Sequence, residues 1–200
     1  MAYRPLLLQG IVAPEGHARK TMMKAILPLI LAACLLATGM AAAAELKAET
    51  TKVDLSACTF VHPGTDDLTS ACPGVGGVGY VMRVIAMNMF VSYGDNALTE
   101  KALTQTFPVP NYLGLTQEWR LGDDGKPRAA IMPWITVTAD GTEMPVLVVT
   151  QILPGATCQI AWLDATTLPD AMARARQIAD AAGNADCSKA PEIVQPFKAF

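Results

Sequence analysis

Apolar and polar residues change their period along this chain, and the changes mark out its elements. From Leu115 to Leu121 the two classes alternate. Gln117, Trp119 and Leu121 fall on one side and Thr116, Glu118 and Arg120 on the other, as in a strand with two different faces. Tyr80 to Ala86 and Met89 to Tyr93 carry little polarity and predict strands covered on both faces, either one long strand or two divided by a kink near Asn88. Arg83 is the exception there, because a guanidinium in an apolar strand needs a carboxylate partner or a path to water. Ala129 to Thr138, Pro145 to Leu153 and Cys158 to Asp164 predict three more strands. The turns between them are Asp140-Gly141 and Pro154-Gly155, and Gly122 to Pro127 forms a hairpin-type loop before the first.

The period switches to that of a helix near the C-terminus. Leu168, Met172, Ala175, Ala179 and Ala182 follow at spacings of four, three, four and three, giving one narrow apolar face. Pro169 suits the first helical position, Asp170 the first turn, and Gly183-Asn184 the end. Ala97 to Gln105 has helical composition and ends before Pro108 and Pro110. Leu55 to Val61 predicts a short strand holding Cys58, broken by Pro63-Gly64-Thr65-Asp66-Asp67, and the polar stretch Leu46 to Asp54 predicts a loosely held arm. The expected fold is α+β: a single domain with a mostly antiparallel sheet of about six or seven strands, a C-terminal helix packed on it, and one shorter helix.

Composition adds an address. Met22-Met23-Lys24, the apolar run Ala25 to Ala37 and the small-residue sequence Ala41-Ala42-Ala43 before Glu45 have the order of a secretory signal peptide. Residues 1–44 are therefore expected to be an N-terminal extension plus a removed leader, with the start codon at Met1, Met22 or Met23, and residues 45–200 the exported domain. Leu31-Ala32-Ala33-Cys34 also resembles a lipobox, which would make Cys34 a lipid anchor, although the apolar run continues past it to Met40. An uncleaved anchor is the third reading, since Ala25 to Ala44 is long enough to span a bilayer. Residues 45–200 hold 11 Lys and Arg against 17 Asp and Glu, a formal charge of −6, which argues against nucleic acid or anionic lipid as the partner. The mature domain is expected to have no membrane contact unless Cys34 is lipidated.

Cys58, Cys72, Cys158 and Cys187 remain after the leader, an even number that predicts disulfides in an exported chain. Three connectivities are open, of which Cys58 to Cys72 and Cys158 to Cys187 are the local ones.

Candidate chemistry is sparse. Gly74, Gly76 and Gly79 satisfy G-x-G-x-x-G, but Cys72-Pro73 precedes them and strand formers follow, so a tight loop into a strand is expected rather than a nucleotide cradle. His62 with Asp66 and Asp67 lacks the companions of a metal site, and no C-x-x-C exists. The loop at Gly122 lacks the alternating acids and distal Glu of a calcium site. A serine hydrolase needs a base, for which His62 is the only mature histidine, and G-x-S-x-G is missing. Glu118 and Arg120 fit a solvated or paired sheet face. Trp119, Trp134 and Trp162 fit a core better than a groove.

Several phrases recur together in one known group: C-P-G at Cys72 to Gly74, F-V-S-Y-G at Phe90 to Gly94, E-W-R-L at Glu118 to Leu121, V-L-V-V-T at Val146 to Thr150, and P-G-A-T-C at Pro154 to Cys158 followed by I-A-W-L-D-A. They resemble a family of small exported proteins of unknown function from Gram-negative bacteria. The resemblance covers roughly Val53 to Asp186, implies one secreted domain with paired cysteines, and carries no catalytic residue across. The expected function is that of a non-catalytic periplasmic or secreted module that binds another envelope protein or a glycan without a cofactor; inhibition of a hydrolase such as lysozyme is one concrete form, by analogy of fold type alone. The alternative is a carboxylate-based envelope hydrolase whose acids converge from separate strands.

Overall fold

The alternating stretches pair mainly with their chain neighbours. In the computed structural model, which describes residues 45–63 and 67–200, they make two sheets. The smaller consists of β2 (Thr59–Pro63), β3 (Asp67–Val75), β4 (Val78–Ile85) and β5 (Asn88–Tyr93), antiparallel in chain order. The larger has seven strands: β1 (Lys47–Lys52), β6 (Asn111–Leu113), β7 (Thr116–Leu121), β8 (Pro127–Val137), β9 (Glu143–Gln151), β10 (Cys158–Asp164) and β11 (Glu192–Val194). Its order is β1-β7-β8-β9-β10-β11, with β6 also on β8, and it is mixed because β11 runs parallel to β10.

β6 and β7 lie end to end along one edge of β8, whose Trp134 to Thr136 pair with β6 and whose Pro127 to Ile131 pair with β7. Pro133 sits opposite the gap. Its carbonyl accepts the Gly114 amide at 2.7 Å. Because N–H and C=O of one residue in an antiparallel strand face the same neighbour, the donor that proline lacks falls where no strand needs it. A Cβ on Gly114 would stand 2.9 Å from that carbonyl, so glycine is what allows the approach.

β8 and β9 are buried on both faces, as their apolar runs require. One face of the large sheet, with Trp119, Met132, Trp134 and Val148, packs on Tyr80, Val91 and Tyr93 of the small sheet. The other, with Ile131, Leu147, Val149 and Leu163, packs on Ala171, Ala175 and Ala179 of helix α1 (Ala171–Asp180). The described residues thus form one compact unit of three layers: small sheet, large sheet, helix.

Several expectations need correction. Among the described residues the fold is mostly strand with the one expected C-terminal α-helix, whereas the shorter helix is only a 3-10 turn, Lys101–Thr104. Its amides are drawn to the edge of β10: Ala102 donates to the Thr157 carbonyl at 3.0 Å, and the Gln105 side chain bonds both backbone groups of Gln159. The loose arm is strand β1, held by β7 and by the Trp119 indole N–H donating to Thr51 Oγ1 at 2.8 Å. Leu55–Ala57 is a 3-10 turn because the Asp54 carboxylate accepts the Ser56 amide at 2.9 Å, so the strand starts only at Thr59. Cys72, Pro73 and Gly74 lie inside β3, and the turn falls later, at Gly76-Gly77. The division near Asn88 is a hairpin turn at Ala86-Met87. α1 begins two residues after Pro169, since Thr166 and Thr167 amides are bound by Asp164 and Asp170 takes a left-handed conformation before the helix. The leader, Cys34 and the Gly64-Thr65-Asp66 turn lie outside the described residues.

Candidate functional site

The four cysteines form two disulfides, Cys58 with Cys72 and Cys158 with Cys187. The first ties the segment before β2 to β3, and the second ties the chain beyond α1 to β10. Disulfides agree with an oxidising compartment. Among the described residues no helix is long and apolar enough to cross a membrane.

The other residues singled out by sequence scatter. Gly74, Gly76 and Gly79 belong to the β3–β4 hairpin, with no helix after them to receive a phosphate. Asp67 pairs with Arg83 across β3 and β4, Nε to Oδ1 at 2.8 Å and the second nitrogen to Oδ2; hydrogen bonding to that guanidinium lowers the carboxyl's pKa. His62 stands on exposed β2. Among the described residues no group of three His, Cys, Asp or Glu is placed to hold a metal. Trp119 and Trp134 are core, while Trp162 is half-buried against Phe107 at 4.5 Å between ring centroids.

Glu118 and Arg120 are paired rather than solvated. Both point from β7 toward α1. Arg120 donates to Asp180 through Nε and Nη2, each at 2.8 Å, and to Glu118 at 3.0 Å. Arg176 extends the row of pairs, grasping Glu118 with contacts of 2.7–3.1 Å. Burial opposes ionisation of Glu118, but hydrogen bonds and charge from Arg176 and Arg120 outweigh it and hold the carboxyl below its ordinary value. With every carboxylate oxygen engaged, the cluster clamps the helix to the sheet.

A cleft of about 450 Å³ opens elsewhere, at one end of the two-sheet sandwich. Four turns make it: Gly76-Gly77, Gly94 to Asn96, the β7–β8 loop through Asp124 and Lys126, and the β9–β10 turn from Ile152 to Thr157. Antiparallel connection brings these turns to the same end. Gly76 has φ +59°, and a Cβ on it would lie 2.5 Å from the Gly125 carbonyl, so the turns of the two sheets touch there. A larger and more open hollow of about 830 Å³ beside the cleft shares Asp124 and Arg128 and adds Glu45, Lys47 and Asp123. Tyr93, the cleft's only aromatic lining residue, is 2% exposed and donates its hydroxyl to Gln117 Oε1 at 3.2 Å; burial pushes its pKa far up.

The charges of the cleft divide into engaged and free. Glu100 is buried, and its two oxygens accept the amides of Gly155 at 2.6 Å and Thr157 at 3.0 Å. Asp124 accepts the Lys126 amide at 3.1 Å and the Arg128 guanidinium at 2.9 Å; that backbone bond, then the nearby cations, lowers its pKa. Asp95 and the Lys126 ammonium take part in no ion pair among the described residues.

Comparison of the chain with protein families, with curated proteins and with solved structures gives no match in any of the three. Asp95 and Lys126 carry no motif in the sequence, and Glu100 stands out there only as an acid near the distance that a dinucleotide motif would need, a role the β3–β4 hairpin removes. The one signal for the first two was indirect: each lies within two residues of a strand end, and in an antiparallel meander alternate strand ends share one rim.

Proposed function

We propose that this is an exported periplasmic protein that works by binding another component of the cell envelope through the turn-end cleft, without catalysis. One observation carries the reading. The buried carboxylate of the cleft, Glu100, has both oxygens committed to backbone amides, and Asp124 is committed to Arg128 and Lys126, so no pair of carboxylates is free to share a proton. A hydrolytic acid also needs a raised pKa, whereas Glu118, Asp124 and Asp164 all shift down. The leader pattern and the two disulfides support export. The cleft offers no open aromatic ring for a sugar to stack on, which favours a peptide or protein surface over a glycan.

The test is a photoreactive amino acid placed at Lys126 in the cleft and, separately, at Arg174 on α1, in living cells. A discrete adduct from position 126 and none from 174 is the expected result. Hydrolysis of envelope material by the purified protein, abolished by Asp95→Asn, would contradict the binding reading.

A further inference from the structure

Asp95 and Lys126 line the same cleft from different loops, one anionic and one cationic, and neither is neutralised by the other or by a third residue among those described. We infer that the cleft takes a small zwitterion of the amino-acid or short-peptide type, its ammonium at Asp95 and its carboxylate at Lys126. This rests on the proposal that the cleft is the binding site.

Three features select that class. The lining carries both signs, Asp95 and Lys126 together with the Asp124–Arg128 pair, so a ligand carrying both signs is matched better than a simple anion or a simple cation. The volume, about 450 Å³, lies in the range of small-molecule sites and suits one to three residues of peptide. The surface between the charges suits a peptide backbone as well: Gly77 and Gly94 present bare main chain to open space, and Ile152, Pro127 and Pro154 supply apolar lining for a small side chain. Asn96 adds an amide able to bond a peptide group.

The experiment is an amide chemical-shift titration of the folded, oxidised protein with alanylalanine, then with its N-acetyl and its C-terminal amide derivatives, up to about 10 mM. Shifts confined to the amides of Gly77, Gly94, Asn96 and Lys126 are expected for the free dipeptide. Blocking either end should weaken binding roughly threefold to tenfold, as should Asp95→Asn for the ammonium and Lys126→Met for the carboxylate. Both side chains are solvent-exposed, and an unchanged spectrum elsewhere shows that each variant is folded. Co-sedimentation with purified cell-wall sacculi separates the sources: retention lost with Asp95→Asn identifies wall-attached peptide, and no retention identifies free peptide. Equal affinity for blocked and free dipeptides, or no shift at the cleft amides, would overturn the zwitterion. An adduct from position 126 in cells alongside that failure would leave the binding reading standing; loss of both would remove it.

Discussion

Arg120 is a cation with a side chain 1% exposed, and its burial is tolerable only because Asp180 and Glu118 occupy its donors. Removing a buried ion from water costs several kcal/mol, so the partners, once stranded, are the larger liability. Arg120→Ala should lower the unfolding free energy by about 3–5 kcal/mol, read from the urea midpoint at unchanged slope. Arg83→Ala, which breaks a pair about one-third exposed on both sides, should cost no more than about 1 kcal/mol. The same cluster sets an acid limit. Glu118 ionises more readily folded than unfolded, so its contribution is fully present above the ordinary value of 4.5 and fades as pH falls through the lower folded value. Stability should therefore decline below about pH 4.5, and Glu118→Gln, less stable at neutral pH, should show a flatter decline; an equal slope in both proteins would place the acid sensitivity elsewhere.

Helix α1 shows how much an element depends on what lies outside it. Its buried residues are three alanines, which remove little apolar area from water, so the ion cluster on one side and the Cys158–Cys187 bond beyond its end do much of the anchoring. Replacing both of those cysteines by serine should cost about 3.6 kcal/mol for the separation of 29 residues, and replacing Cys58 and Cys72 about 3.0 kcal/mol for 14, measured by chemical denaturation. The same contrast explains what could be read from the chain. β9 and β10 announce themselves by apolar runs of strand formers and α1 by its helical apolar period, all carried by their own residues. β1, with the sequence K-A-E-T-T-K, does not, because its reason for being a strand is the open edge of β7. β3 was hidden by Pro73 and Gly74, and its strand character comes from hydrogen bonding to β2 and β4. Ala97 to Gln105 has residues that favour a helix, yet the edge of β10 offered its amides better-placed acceptors. The cleft was unreadable for a related reason: its charged groups are 31 residues apart in the chain, and only the stacking of two sheets makes them neighbours.

At the scale of the molecule, the sandwich guards its edges. β1 carries Lys47, Glu49 and Lys52, β2 is interrupted by a register shift between Phe60 and His62, and Gln105 occupies the free side of β10. Bare backbone faces open space chiefly at the turns, and several of those turns surround the cleft. This arrangement has a role in the envelope only if the chain is exported and oxidised. The direct measurement is the intact mass of the protein recovered from the periplasm under thiol-alkylating conditions. The expected species on this account is a chain lacking its first 44 residues, with Cys58, Cys72, Cys158 and Cys187 all unalkylated. A full-length chain of 200 residues with alkylated cysteines would contradict it, and a lipid-modified chain beginning at Cys34 would contradict the cleavage site while leaving export intact.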